Sequence, residues 1–155
     1  MTIKMQKEHP AGIPKAKRLK SAPAKGMAFQ RRVARTLRRQ ISPKNVWAEH
    51  WFFDSTICRW SQPDILVWRG EKLLVIEVKL TEKPQEATLQ LQRYMRVVGA
   101  WARQEGLQKE IIGVRAFRWM RKGVVRDNAL FHSGYEVWPL WEWKDGTIGD
   151  WHYLG

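Results

Sequence analysis

Three side chains in this sequence of 155 residues have the types and spacing to do chemistry together: Asp64, Glu77 and Lys79. Carboxylate oxygens are what hard divalent cations take, and Mg²⁺ is commonly held by one or two of them together with a phosphate. An amine beside such an ion balances charge or orients a nucleophilic water. Whether the three groups can meet depends on the elements that carry them. Asp64-Ile-Leu-Val-Trp68 and Leu73-Leu-Val-Ile-Glu-Val-Lys-Leu80 read as two strands joined by Arg69-Gly70-Glu71-Lys72. Gly at the first central position of a two-residue loop suits a type II′ hairpin turn. With Gly70-Glu71 as the turn, opposed residue numbers sum to 141 and Asp64 faces Glu77. Opposed residues share a face with Cβ atoms about 4.5 to 5.5 Å apart. Lys79, two residues beyond Glu77, emerges on that same face.

The alternation along 73 to 80 agrees. Leu74, Ile76, Val78 and Leu80 form a wholly apolar face suited to a core, whereas the other face begins with Leu73 and Val75 and ends in Glu77 and Lys79. Two directly opposed carboxylates repel by a few tenths to about 1 kcal/mol on a sheet surface, and a divalent cation would offset that. The plainer reading of Glu-x-Lys is a solvated strand end. The register decides between them, since a one-residue slip would send these side chains to opposite faces.

Around the hairpin, the spacing predicts two helices and further strands. Phe29, Val33, Leu37 and Ile41 recur every fourth residue from Gly26 onward, with Arg31, Arg32, Arg35, Arg38 and Arg39 between them: an amphipathic helix with a basic outer surface, stopped at Ser42-Pro43. Val46 to Trp60 is rich in aromatic and β-type residues and should hold at least one strand. After Pro84, residues 85 to 104 carry Ala87, Leu91, Tyr94, Val98, Trp101 and Ala102 at helical spacing, ended by Gly106. Ile111 to Met120 reads as a strand, and the segment with Trp138, Trp141, Trp143 and Trp151 as short strands and turns. The order points to one α/β domain, residues 26 to 155, around a single mixed sheet. Residues 1 to 25 mix Lys, Pro, Ala and Gly without apolar periodicity and read as a flexible, disordered basic arm.

Composition narrows the class. With 44% apolar and 28% charged residues the chain can bury a core. A lone Cys58 excludes a disulfide scaffold and a Cys-rich zinc module. No apolar run reaches the ~18 residues of a membrane span, and the N-terminus has no hydrophobic signal core. Lys plus Arg number 28 against 15 acids, a formal charge of +13 that favours a polyanionic partner. The excess is local, because residues 1 to 39 hold 12 basic side chains against the single acid Glu8.

Pro63-Asp64, twelve intervening residues, and Glu77-Val78-Lys79 on a strand resemble the signature of the PD-(D/E)xK superfamily of metal-dependent nucleases, the restriction-endonuclease-like fold. The resemblance spans about Gly26 to Phe117. It implies a central mixed sheet flanked by helices, with Asp64, Glu77 and the backbone carbonyl of Val78 as ligands of Mg²⁺ or Mn²⁺. Lys79 would then position or activate the attacking water. Gln90-Leu-Gln-Arg-Tyr94 resembles the Gln-x-x-x-Tyr element of the branch typified by the RecB exonuclease domain, with Gln90 and Tyr94 on one helix face. Tyr94 also belongs to the apolar stripe, so core packing explains it equally well. The chain departs from the pattern in its first helix, where Gly26-Met-Ala-Phe29 is followed by Gln30 instead of Glu. Gln30 can accept from a metal-bound water but brings no charge. His50 and Glu49 stand near the positions of an upstream histidine and of the missing acid, and the expected site is drawn without them.

Arg31, Arg35, Arg38, Arg118, Arg121 and Lys122 are the expected phosphate contacts, Arg126 with them; a solvated charged face is their plainer reading. The expectation is a Mg²⁺-dependent deoxyribonuclease of the cytoplasm or nucleoid in a bacterial or phage-infected cell. Its form would be a structure-selective endonuclease of the Holliday-junction-resolvase kind, serving repair, recombination or phage DNA processing. A resolvase cuts two strands and would need a homodimer. The alternatives are a DNA exonuclease and a non-catalytic nucleic-acid-binding protein on a nuclease-like fold.

Overall fold

The computed structural model describes residues 2–13, 22–81, 84–119, 129–133 and 136–144, with side chains over 2–13, 26–79 and 89–116. The chain is mixed α/β. In order it runs β1 (Ile3–Gln6), α1 (Ala22–Gln40), a 3-10 turn (Pro43–Asn45), β2 (Val46–Ala48), β3 (Trp51–Asp54), β4 (Arg59–Ser61), β5 (Ile65–Arg69) and β6 (Lys72–Thr81). Then follow α2 (Pro84–Gln104), β7 (Glu110–Trp119), β8 (Ala129–Ser133) and β9 (Glu136–Lys144).

The strands make two sheets where the sequence suggested one: a six-stranded mixed sheet in the order β2-β5-β6-β7-β9-β8 and a three-stranded sheet in the order β1-β3-β4. The β5–β6 hairpin has the register derived above, from Arg69 opposite Lys72 to Ile65 opposite Ile76. Gly70 takes φ 56, and Glu71 is not among the residues with positive φ, which is the sign pattern of a type II′ turn. Strand β7 then pairs with β6 in parallel, with α2 as the crossover.

Alternation along β6 splits the interior into two cores. Leu74, Ile76 and Val78 pack with Phe29, Val33, Ala34 and Leu37 of α1, while Leu73 and Val75 pack with Leu91, Met95, Val98 and Trp101 of α2. The two helices therefore cover opposite faces of the large sheet. Helix α2 ends where Gly106 takes φ 71. The Gly106 N–H donates to the Arg103 carbonyl at 3.0 Å and the Leu107 N–H to the Ala102 carbonyl at 2.8 Å, the two bonds of a Schellman cap.

The N-terminus corrects the expected flexible arm over residues 1 to 25. Residues 3–6 form a strand pairing with β3, Ile3 is buried, and α1 begins at Ala22. Gln104 fixes this strand to the end of α2: its Oε1 accepts from the Ile3 N–H and its Nε2 donates to the Ile3 carbonyl, both at 2.8 Å. The signal was weak because only Ile3 and Met5 of the four residues face inward. Residues 14–21 lie outside the described residues.

Candidate active site

The polar end of the hairpin faces α2. Strand β4 ends at Ser61 and two residues, Gln62 and Pro63, lead the chain to Asp64, which immediately precedes β5. Asp64 is locked to the partner strand, its Oδ2 accepting from the Val78 N–H at 2.8 Å. Glu77 belongs to the face of Leu73 and Val75 and is only 2% exposed. The carboxyls of Asp64 and Glu77 lie within hydrogen-bonding reach of each other when one carries a proton. Lys79 Nζ stands 3.4 Å from Glu77 Oε1 and donates to Gln90 Oε1 at 3.1 Å. Gln90 Nε2 in turn donates to Tyr94 Oη at 2.9 Å. Gln90 and Tyr94, one helical turn apart, thereby fix the amine that sits beside the carboxylates.

Burial dominates the electrostatics. Desolvation pushes the Glu77 carboxyl up to about 8, reinforced by the negative charge of Asp64 and opposed by Lys79. Desolvation also raises Asp64, to about 6, against the stabilising Val78 N–H and the Lys79 charge. Asp64 is raised less than Glu77, because the Val78 N–H favours its carboxylate whereas the Asp64 charge adds to the rise of Glu77. Burial and the Glu77 charge raise Tyr94, which stays a neutral phenol.

Glu77 Oε2 is buried with no hydrogen-bond donor. A proton shared with Asp64 would satisfy it, and so would a cation between the two carboxylates. Among the described residues no group of three or more His, Cys, Asp or Glu side chains could hold a metal ion. Two carboxylates with one orphaned oxygen nevertheless fit an ion such as Mg²⁺, which binds through one or two carboxylates and keeps several waters. Val78, whose carbonyl the resemblance adds to the ligands, is the residue between Glu77 and Lys79 on β6.

The other expected residues are placed as follows. Gln30 is bonded to Glu49, its Nε2 donating to Glu49 Oε1 at 3.4 Å, on the α1 side. Arg31, Arg35 and Arg38 line a cavity with Gln30 and Glu49. Arg118 falls on β7 with its side chain outside the described residues, and Arg121, Lys122 and Arg126 lie outside them altogether. His50 is 7% exposed, stacks on Trp47 at 4.8 Å, and bonds the Ala48 carbonyl through Nδ1 at 3.2 Å. Burial lowers its pKa, so it is a neutral, packed imidazole.

Glu49 is the residue the sequence reading left aside and the structure brings near the site. Its N–H donates to the Asp64 carbonyl at 3.1 Å, its carbonyl accepts from Gln62 Nε2 at 3.0 Å, and its charge helps raise Asp64. It holds φ 58, a left-handed conformation that L residues adopt seldom and that gathers at functional sites. No motif marks such a residue; its candidacy for the acid missing from the first helix was the hint. No protein-family model matches the chain, and no curated protein matches its sequence.

Proposed function

We propose that this chain is a divalent-cation-dependent nuclease that hydrolyses DNA phosphodiester bonds, on the plan of the PD-(D/E)xK superfamily. The observation that carries the reading is the pair of desolvated carboxylates, Asp64 and Glu77, held together with one oxygen orphaned and an ammonium 3.4 Å away. A pair of this kind, only partly compensated by Lys79 and the Val78 N–H, costs free energy, and a cation-binding role accounts for it. Mg²⁺ or Mn²⁺ held by Asp64, Glu77 and the Val78 carbonyl would supply Lewis acidity at the scissile phosphate.

The protein's own part is positioning. The Asp64 carboxylate is oriented by the Val78 N–H, and Glu77 by its place in the strand. Lys79 Nζ, restrained by Gln90, can donate to a water and steady it for attack on phosphorus. That water forms the new P–O bond as the bond to the sugar oxygen breaks, giving a phosphomonoester and an alcohol. A structure-selective endonuclease suits a basic chain of one-domain length, with strand ends and branched junctions as the substrates to compare.

The test is incubation of the purified chain with Mg²⁺ or Mn²⁺ and branched, linear or single-stranded DNA, beside Lys79→Ala. Cleavage by the wild type that EDTA stops and Lys79→Ala loses supports the reading. DNA binding with no cleavage of any substrate in either metal would replace it with the non-catalytic reading, which Gln30 in place of an acid favours.

A further inference from the structure

The sheet end that carries Asp64 has a second feature, on the α1 side: a cavity of about 410 Å³ lined by Arg31, Arg35 and Arg38, with the small Ala34 and Ala48 and the hydrogen-bonded pair Gln30 and Glu49 completing its wall. The three arginines follow one another by four and three residues, so they share one face of α1. Among the described residues, none of the three has a hydrogen bond or an ion pair. Arg32, on a different face, lies over the Phe29 ring at 5.2 Å. Three cations converging on a concave space are an anion site in charge and shape, and guanidinium forks match phosphate oxygens two at a time. The volume falls within the range of small-ligand sites and leaves room for the sugar attached to a phosphate. Glu49 ties the cavity to the carboxylates, since its N–H holds the Asp64 carbonyl.

We propose that this cavity is a phosphate subsite, holding a phosphate of the bound strand that neighbours the one at Asp64 and Glu77. The assignment of a nucleic-acid strand rests on the nuclease reading, whereas the preference for a phosphate rests on the arginines. Glu49 keeps the anion to the arginine side, because its carboxylate repels a phosphate that moves towards Asp64.

The experiment is fluorescence anisotropy of the full chain with labelled oligonucleotides in EDTA across a salt titration. Arg35→Gln is expected to weaken binding about tenfold and to lower the log–log salt slope by roughly 0.7 to 0.9. Arg39→Gln removes the same charge from an exposed position of α1 outside the cavity and is expected to cost much less. Glu49→Gln is expected to tighten binding, and inorganic phosphate to compete with the wild type better than with Arg35→Gln. A preference for 5′-phosphorylated over 5′-hydroxyl oligonucleotides assigns the subsite to a strand end, and equal affinity assigns it to an internal diester. Equal losses in Arg35→Gln and Arg39→Gln, with equal slopes, would overturn the subsite. Because EDTA leaves no free divalent cation, the binding differences remain measurable in a chain that cuts nothing, so failure of the nuclease reading is seen separately.

Discussion

The two faces of β6 are built from alternate residues of one strand, yet they are opposites in kind. Towards α1, Leu74, Ile76 and Val78 meet Phe29, Val33 and Leu37 in an unbroken apolar layer. Towards α2, Leu73 and Val75 begin the same way, and then Glu77 replaces a core residue while remaining 2% exposed. A carboxylate in a core position is destabilising unless something compensates it. One face stabilises the fold; the other accepts a local cost at the site proposed to bind an ion. Substitution on the two faces should separate these roles.

The largest effect belongs to the polar face. Asp64→Asn and Glu77→Gln are expected to lower cleavage by ~10³-fold or more, the several kcal/mol that a misplaced cation withdraws from the transition state. Neither should unfold the protein, because each replaces a desolvated carboxyl group with a neutral amide of nearly the same shape. Cleavage rates and urea melts on the same preparations check both halves. A variant that unfolds would show that the pair is structural.

Next is the apolar face. Ile76→Ala removes a side chain with no exposed surface between α1 and the sheet, and is expected to destabilise by about 2 to 5 kcal/mol. Urea unfolding measures it directly. Cleavage per folded molecule should fall little, since residue 76 points away from Glu77. A comparable loss of activity in fully folded protein would mean that the two faces are not independent.

How far the sequence discloses this architecture depends on where each constraint lies. The hairpin was legible because Gly70 fixes a two-residue loop, and loop length alone sets which residues oppose. Asp64 and Glu77 follow from it by counting. Helices α1 and α2 were legible from apolar spacing, and the Gly106 stop from its freedom at positive φ. By contrast, the three-stranded sheet joins residues 3–6 to residues 51–54, a long-range pairing that no local pattern announces. The cavity beside Glu49 was equally hidden, because it depends on a non-glycine residue in a left-handed turn and on a contact to Gln30 nineteen residues away. Residues that act through distant chain segments are read from coordinates.

A smaller effect concerns pH. Both carboxyls have folded pKa values above their ordinary ones, so the folded state holds their protons more tightly than the unfolded chain. Their contribution to stability is fully present below about pH 4 and is lost as pH rises through about 6 for Asp64 and about 8 for Glu77. Mn²⁺ or Mg²⁺ should therefore raise the melting temperature at pH 8 more than at pH 5, where protons compete for the same oxygens. Glu77→Gln should flatten the pH response and abolish the cation's effect. An equal rise at both pH values in the wild type, or one that survives in Glu77→Gln, would place the cation elsewhere.

The smallest effect tests how far the polar face extends into α2. Tyr94 Oη accepts from Gln90 Nε2, and Gln90 Oε1 accepts from Lys79. Tyr94→Phe keeps the ring in the α2 core and removes only the far end of this relay, so it should cost about 0.5 to 1.5 kcal/mol of stability. Gln90 is half-buried and can replace the lost partner with water, so cleavage should fall by less than about tenfold. Lys79→Ala, which removes the group itself, should be far worse, and Gln90→Leu should lie between them. This graded order is what a positioning chain produces. If Tyr94→Phe were as damaging as Lys79→Ala in stably folded protein, the phenol would be touching the substrate, and the working surface would extend onto α2.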